Sequence, residues 1–186
     1  MTDTTTGSLR TAHTHQLSEA ALGEIRALLD AAFDGDFDDE DWSHGLGGVH
    51  AFIRDRDGLA AHGSVIMRRV VHGGRSYRVG YVEAVAVRAD RRRQGLGGRV
   101  MGALEKVIDG AYELGALSAS DDGAELYRSR GWQLWRGRIE ALSPGGVVPL
   151  PDEEDSTFLR RAAAGCRFPD AAASPLLFDW RDGDVL

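Results

Sequence analysis

Apolar residues recur along the 186-residue chain with two periods, one typical of helices and the other of strands. Helical spacing fills SEAALGEIRALLDAAF, where Ser18 is a suitable N-cap. The same spacing follows RRRQGLGGRV, in a helix that we expect to end near Gly115. A third, short helix is predicted in DDGAELYRSRGW, capped by Asp121 or Asp122 and stopped by Gly131.

Strand-like alternation fills much of the remaining sequence. It covers VHAFIRD, LAAHGSVIMRRVVH and SYRVGYVEAVAVRAD, which are separated by turn signals at DG and HGG. Shorter strands are predicted in ALSAS, WQLWRGRIEAL, STFLRR and SPLLFDW, whereas DGDFDDEDW and SPGGVVPLPDEED are predicted to lack regular structure. The order of these elements predicts a mixed α/β fold with a mostly antiparallel sheet.

Length and composition favour one ordinary globular domain. A chain of this size buries a sufficient core without disulfides, and we assign it to residues 16–186. Residues 1–15 are expected to be a flexible tail, because they have neither the basic start nor the apolar region of a signal peptide. No run of about 18 apolar residues is present, so we expect no membrane span.

The number of cysteines and the spacing of histidines argue against a disulfide-stabilised protein and against a metal-binding protein. The single Cys166 cannot form an internal disulfide, which favours a reducing compartment and predicts a cytoplasmic protein. Four histidines lack ligand-like spacing and are expected to be structural or surface residues, so no metal is predicted; they are His44, His50, His62 and His72.

Charge is distributed unevenly along a chain of formal net charge −7. Acidic residues cluster in segments 30–41, 152–155 and 179–184, whereas arginines gather between positions 68 and 99. This segregation favours two ligands, or two ends of one reaction, with opposite charge, although solubility is an alternative explanation. The overall acidity argues against general binding of nucleic acid.

The most informative motif is the turn RRRQGLGG, which follows a predicted strand and opens a predicted helix. Glycines let backbone N–H groups approach an anion closely, and the first N–H groups of a helix point towards it. Arginines add delocalised charge that suits phosphate oxygens. The turn is therefore a candidate pyrophosphate cradle, and an ordinary glycine-containing turn is the alternative.

With its preceding strand, the stretch VEAVAVRADRRRQGLGGRV resembles the acetyl-CoA-binding core of the GNAT acetyltransferase superfamily. Arg92, Gly95 and Gly97 fill the superfamily turn (Arg/Gln)-x-x-Gly-x-(Gly/Ala), whereas the dinucleotide fingerprint G-x-G-x-x-G fits poorly. The resemblance implies a GNAT fold, with a mixed sheet flanked by helices, and acetyl-CoA as cosubstrate. It implies cofactor contacts from Val85, Ala86, Val87, Arg92, Arg93, Gln94, Gly95, Leu96 and Gly97.

Acetyl transfer to an amine needs a base for the amine and a proton for the departing thiolate. Glu83 shares a strand face with Val85 and is the candidate base, acting directly or through water, although simple attraction of a cationic amine is an alternative. Tyr127, in AELYRSRGW, resembles the general acid of the superfamily, and a packing role is its alternative.

A narrower resemblance concerns the substrate. The blocks GDFDDEDWSHGLGGVHA, GYVEAVAVRADRR, GAYELGALSAS, LYRSRGW and DWRDGDV are similar to actinobacterial aminoglycoside 2'-N-acetyltransferases, which acetylate these antibiotics and cause resistance. Polycationic aminoglycosides suit the acidic clusters. The resemblance implies substrate contacts from Asp36, Asp41, Glu83, Ala84, Ser118, Asp152, Glu153, Asp184 and the terminal carboxylate of Leu186, and it implies a homodimer.

Two features depart from that family pattern. Leu186 stands where a tryptophan is expected, and the RRRQGLGG turn is closer to the general superfamily form. Regiochemistry and preferred drug are therefore open, and an acetyltransferase for another amine is the alternative: another amino sugar, a polyamine or a protein N-terminus. A non-catalytic acetyl-CoA sensor is a further alternative from a different class.

Overall fold

The computed structural model describes residues 7–162 and 166–186, which form two compact units. The first unit extends to Ile66 and includes Val82–Leu104, and the second consists of Met67–Tyr81 and Glu105–Leu186. The division falls within strands β3 (Gly58–His72) and β4 (Arg75–Val87) and within helix α3 (Leu96–Ala111), so each unit is described with its own part of these elements.

The first unit combines three antiparallel strands with helices. Strand β1 (Ser8–His13) pairs with β2 (Val49–Asp55), which pairs in turn with β3. Helix α1 (Glu19–Ala32) begins where the Ser18 hydroxyl accepts the N–H of Ala21, as its capping sequence predicts. Its apolar face packs against the strands in a cluster of buried residues: Ile25, Leu28, Leu29, Phe52, Leu59 and Ala86.

Close packing of α3 on β3 explains one glycine of the first unit. A Cβ at Gly63 would lie 2.9 Å from Cγ1 of Val100 and 3.1 Å from Cδ1 of Leu104. Only a residue without a side chain fits between this strand and the start of α3. The packing therefore fixes the start of α3, which carries the glycine-rich turn, against the sheet.

The second unit contains the longer strand order, β6-β9-β5-β4-β3-β10-β7-β8. Strand β4 pairs in parallel with β5 (Leu114–Ser118), and β10 (Leu176–Asp179) pairs in parallel with β7 (Ile139–Ser143). The pairs of β9 (Thr157–Arg161) with β5 and with β6 (Gln133–Leu134) are antiparallel. Antiparallel pairs also join β3 to β10 and β7 to β8 (Gly146–Pro149). The predicted α/β class with a mostly antiparallel sheet is confirmed.

Several predicted boundaries are wrong. Residues 8–13, assigned to a flexible tail, form β1, because their backbone pairs with β2; residues 1–6 lie outside the described part of the chain. The acidic segment contains helix α2 (Asp39–His44), because the Asp38 and Asp41 side chains each accept the other's N–H in a capping box.

The remaining corrections concern the second half of the chain. Helix α3 ends at Ala111, and Gly115 lies in β5, where a Cβ would be 2.8 Å from the Trp132 ring. Ser120 rather than an aspartate occupies the N-cap of α4 (Asp121–Ser129). WQLWRGRIEAL divides into β6 and β7, and the predicted loop SPGGVVPLPDEED contains β8 and a 3-10 turn over Pro151–Glu153.

Candidate functional site

The first unit carries the predicted cofactor segment, from the end of β4 to the start of α3. Three residues here have left-handed backbone: Ala84 (φ 53°), Arg93 (φ 59°) and Gly95 (φ 76°). A Cβ at Gly95 would meet open space, so its backbone conformation, rather than crowding, favours glycine. Helix α3 begins at the next residue, and the first N–H groups of a helix have no acceptor within it.

The arginine run divides into two halves with different roles. Arg88 and Arg91 both bind the buried carboxylate of Asp55, at 2.8 Å and 2.7 Å, and Arg88 also binds Asp90 at 2.7 Å. Burial raises the pKa of Asp55, but the hydrogen bonds from Arg88 and the Asp57 N–H and the charges of Arg88 and Arg91 together outweigh burial and leave this pKa below its ordinary value. These two arginines are thus engaged within the fold.

The other half of the run faces solvent. Arg92, Arg93 and Gln94 are exposed; Arg92 Nε lies 3.5 Å from the Val87 carbonyl, and the Gln94 amide donates to the Asp90 carbonyl at 3.2 Å. Two exposed guanidinium groups beside a helix N-terminus suit a pyrophosphate, because both supply donors and positive charge. The arrangement therefore fits the predicted cradle, which ends in the buried Leu96 and the half-buried Gly97.

Strand β4 presents the other predicted cofactor contacts on alternate faces. Ala86 is buried in the core of the first unit, while Val85 and Val87 are half-buried. Glu83 is half-buried and directly precedes the left-handed Ala84, whose carbonyl accepts a hydrogen bond from His62 Nδ1 at 3.0 Å. Ala84 thus interrupts the strand between the candidate base and the candidate pantetheine-binding backbone.

The first acidic cluster lies between α1 and α2. Asp36 is exposed just after a tight turn in which Asp34 (φ 54°) and Gly35 (φ 90°) are left-handed. Asp41 is half-buried, and its Oδ2 accepts the Asp38 N–H at 3.1 Å, so part of its hydrogen-bonding capacity supports α2. Arg26 braces the same segment by binding Asp39 at 2.9 Å.

In the second unit, Tyr127 lies on α4 with its ring packed against Trp132 and Phe158, at centroid distances of 6.3 Å and 6.2 Å. Its side chain is buried, and this burial raises the pKa of Tyr127 to about 12. The phenol therefore keeps its proton at neutral pH, as a proton donor must.

Sequence reasoning missed the residue that anchors α4. Glu105 of α3 is buried, and its carboxylate accepts two hydrogen bonds from Arg130, at 2.8 Å and 2.6 Å, and one from the Trp132 indole at 3.0 Å. A bidentate pair of this kind fixes orientation as well as distance. The sequence did contain a sign of this role, because Glu105 is a glutamate on the otherwise apolar face of a predicted helix.

Two predicted substrate residues meet in the second unit. The Ser118 hydroxyl at the end of β5 lies 2.9 Å from Glu153 Oε2 and 2.8 Å from the Ser156 hydroxyl, which itself lies 2.8 Å from Glu153 Oε2. This cluster combines one carboxylate with two hydroxyl groups, which suits an amino sugar. Asp152 lies beside it in sequence and is exposed.

The last strand is held by an arginine that sequence reasoning did not select. Arg68 is 1% exposed; its guanidinium donates to the carboxylate and carbonyl of Asp179, at 2.8 Å and 2.6 Å, and to the Val185 carbonyl at 2.7 Å. Asp184 is exposed, and the Leu186 side chain packs on the core of the second unit. An arginine within an apolar strand was the available signal.

Residues 7–162 and 166–186 contain no group of three or more histidine, cysteine or acidic side chains placed to hold a metal ion. No helix in this same part of the chain is long and apolar enough to cross a membrane.

A mixed sheet whose strand β4 leads through an arginine–glycine turn into a helix offers a site that suits a pyrophosphate group. Residues 13–135 match the family described as an acetyltransferase (GNAT) domain. The chain is also 44% identical over 176 residues to the aminoglycoside 2'-N-acetyltransferase of Mycolicibacterium fortuitum, covering 95% of this chain and 90% of that protein.

Solved structures show the same fold. The Escherichia coli GNAT family N-acetyltransferase YhbS, in complex with CoA, has a TM-score of 0.64 at 18% identity, covering 95% of this chain and 91% of that chain. A GCN5-related N-acetyltransferase from Kribbella flavida has a TM-score of 0.55 at 17% identity, covering 74% of this chain. The alignment spans only 36% of that second, longer protein.

The chain belongs to the GNAT acetyltransferase family. GNAT acetyltransferases use acetyl-CoA as the acetyl donor.

Proposed function

We propose that the protein transfers the acetyl group of acetyl-CoA to the 2'-amino group of an aminoglycoside. The observation that carries this proposal is the 44% identity to an aminoglycoside 2'-N-acetyltransferase over 95% of the chain. The charge distribution supports it independently, because an acidic protein with clustered carboxylates attracts a polycation.

In this proposal the first unit binds the cosubstrate. Backbone groups of Val85, Ala86 and Val87 pair with the pantetheine arm as an added strand would. The segment from Arg92 to Gly97 holds the pyrophosphate. The left-handed Gly95, the helix start at Leu96 and the exposed Arg92 and Arg93 support this assignment.

In the chemical step the substrate nitrogen loses two protons and the departing thiolate gains one. Glu83 takes the first proton from the substrate ammonium group, directly or through one water, and the free amine attacks the thioester carbonyl carbon. The tetrahedral intermediate then expels the CoA thiolate with cleavage of the C–S bond, and Tyr127 supplies the proton that makes it a thiol. The acylated nitrogen releases its second proton as the neutral amide forms, and this proton restores Tyr127, while the proton on Glu83 passes to solvent. The half-buried position of Glu83 and the protonated state of the buried Tyr127 support these roles.

Carboxylates and hydroxyl groups are proposed to recognise the substrate. Ammonium groups need acceptors, and sugar hydroxyls pair with either kind of group. The Ser118–Glu153 hydrogen bond and the exposure of Asp36 support this role most directly. The full proposed set is Asp36, Asp41, Glu83, Ala84, Ser118, Asp152, Glu153, Asp184 and Leu186.

The decisive test compares two aminoglycosides that differ only in carrying an amine or a hydroxyl at the 2' position. Release of the CoA thiol is measured with each, and with a polyamine, a simple amino sugar and a peptide N-terminus as further acceptors. We expect turnover with the 2'-amine alone. Equal turnover with the 2'-hydroxyl compound would contradict the regiochemistry, and turnover confined to the other acceptors would contradict the substrate class.

We further propose that the enzyme acts in the cytoplasm as a homodimer. The single cysteine and the cosubstrate acetyl-CoA support a cytoplasmic location. Similarity to aminoglycoside 2'-N-acetyltransferases supports a dimer. Light scattering after gel filtration measures the mass, and a value near the 20.1 kDa of one chain would contradict the dimer.

A further inference from the structure

The interruption of β4 at Ala84 needs a physical cause. Ala84 has φ 53°, a conformation that residues with a side chain rarely adopt within a strand. Such backbone persists only where surrounding contacts fix it. The interruption separates Glu83 from Val85, so whatever fixes it also sets the relation between these two residues.

The carbonyl of Ala84 lies at the end of a chain of hydrogen-bonded side chains. His62 Nδ1 lies 3.0 Å from the Ala84 carbonyl oxygen, and His62 Nε2 lies 2.9 Å from His50 Nδ1. His50 Nε2 lies 2.8 Å from the Thr14 hydroxyl, which accepts the Gly47 N–H at 2.9 Å. Both histidines are 1% exposed, so water does not compete for these bonds.

One arrangement of protons satisfies the whole chain. A carbonyl only accepts, so His62 carries its proton on Nδ1 and donates to Ala84. His62 Nε2 must then accept from His50 Nδ1, and His50 Nε2 must accept from the Thr14 hydroxyl at 2.8 Å. The Gly48 carbonyl is a second acceptor for the same hydroxyl proton but lies farther away, at 3.3 Å. Each imidazole is neutral, and each donor points towards Ala84.

Burial keeps both rings neutral. It lowers the pKa of His50 to about 4 and the pKa of His62 to about 3, with smaller contributions from His13 and from His50 respectively. The chain also cannot deliver a proton, because its last member is a carbonyl oxygen. Its consequence is therefore geometric rather than acid–base.

We propose that Thr14, His50 and His62 are positioning residues, which hold Ala84 in its left-handed conformation and thereby place Glu83 relative to the backbone of Val85–Val87. This inference rests on the proposed roles of Glu83 and of that backbone. In this proposal the two buried histidines and Thr14, which directly follows β1, contribute to acetyl transfer by positioning Glu83. They do so without touching either substrate.

The chain offers a matched pair of substitutions. Thr14→Val keeps the side-chain shape but removes the hydroxyl that donates to His50 Nε2, and Thr14→Ser keeps the hydroxyl. His62→Ala removes the last donor outright. His72→Gln is a control at another buried histidine, which hydrogen-bonds Pro175 and Asp170 in the second unit.

Two measurements need no acceptor substrate. In ¹⁵N spectra of the imidazole rings we expect both His50 and His62 as neutral Nδ1–H tautomers in the wild-type protein, with the pattern changed by Thr14→Val. Calorimetric titration with CoA should give a dissociation constant raised about 10-fold in Thr14→Val and His62→Ala, restored in Thr14→Ser and unchanged in His72→Gln.

Turnover with an aminoglycoside gives the third measurement. We expect kcat to fall about 10-fold in Thr14→Val at temperatures well below its Tm, with recovery in Thr14→Ser. Nε2–H tautomers, or wild-type CoA affinity and kcat in both disruptive variants, would overturn the positioning role while leaving the proposed function intact. Absence of aminoglycoside turnover in the wild type would refute the proposed function, and the tautomers and CoA affinities would still decide the positioning role.

Discussion

At the scale of single residues, identity and environment together decide what a side chain can do. Arg88 and Arg92 are four positions apart, yet one is engaged by a buried aspartate and the other is exposed. Burial of Tyr127 raises its pKa to about 12, so its phenol stays protonated over a wider pH range than that of an exposed tyrosine. The corresponding predictions are tested by removing one functional group and leaving packing intact.

Tyr127→Phe keeps the ring contacts with Trp132 and Phe158 and removes the hydroxyl. We expect kcat to fall by about 10²-fold with the CoA dissociation constant unchanged, because the thiolate loses its proton donor. Steady-state kinetics and titration with CoA check this prediction. Tyr77→Phe, at another buried tyrosine of the second unit, is the control and should keep wild-type kcat.

The pH profile gives an independent check on the same residue. A donor is active while protonated, so its activity is lost as pH rises through its pKa, which is about 12 for Tyr127. Loss of wild-type activity centred near pH 9 that disappears in Tyr127→Phe would contradict this environment for the phenol.

At the scale of elements, the sequence predicts interiors better than ends. The Ser18 cap was predictable because a local hydrogen bond forms it, and the apolar face of α1 was predictable because the spacing of apolar residues along the sequence determines it. The end of α3 and the pairing of β8 were not, because contacts distant in sequence decide them. The left-handed Ala84 was also hidden, since the donor to its carbonyl lies on another strand.

The contact between β3 and α3 yields a stability prediction. Gly63→Ala places a methyl group 2.9 Å from Cγ1 of Val100, so we expect a loss of about 1–3 kcal/mol in the free energy of unfolding. Gly23→Ala, on α1 with nothing within 4 Å of the new Cβ, should instead gain about 0.5–1 kcal/mol. Urea denaturation of both variants measures the difference, and a neutral Gly63→Ala would contradict the close packing.

At the scale of the whole molecule, charge and protonation govern behaviour. The acidic clusters and the arginine run were visible in the sequence, because net charge and its distribution need no coordinates. Which carboxylates are neutralised was not visible, since Asp55 and Glu105 find their partners only after folding.

The two buried histidines predict an acid-dependent loss of stability. Their folded pKa values of about 4 and about 3 lie below the ordinary 6.5, so the unfolded chain binds more protons as pH falls below 6.5. Each histidine then contributes a slope of about 1.4 kcal/mol per pH unit, fully developed between roughly pH 6 and their folded pKa values. Urea denaturation at pH 7, 6 and 5 gives the free energy of unfolding as a function of pH. This free energy should depend less steeply on pH in the double variant His50→Gln/His62→Gln than in the wild type, and an equal dependence would refute the prediction.

Added salt should weaken electrostatic attraction of the proposed substrate without changing the rate of the chemical step. With a net charge of −7, the protein attracts a polycationic aminoglycoside over a distance that salt shortens. We expect KM for the aminoglycoside to rise with added salt while kcat stays constant, and Asp36→Asn to weaken this dependence. A KM that is independent of salt in the wild type would contradict electrostatic recruitment.

The division of the arginine run by Asp55 also has a consequence for comparing related sequences. Asp55 is the buried carboxylate that binds both Arg88 and Arg91, whereas their other partners, Asp57 and Asp90, are more exposed, so loss of Asp55 removes the contact that the two arginines share. Homologues that replace Asp55 should therefore replace Arg88 or Arg91 as well, as a covarying set. Arg92 and Arg93 do not bind Asp55 and should vary with the cosubstrate instead. Two arginine pairs in the same segment would therefore be conserved for different reasons, one for pairing with Asp55 and the other for binding the cosubstrate.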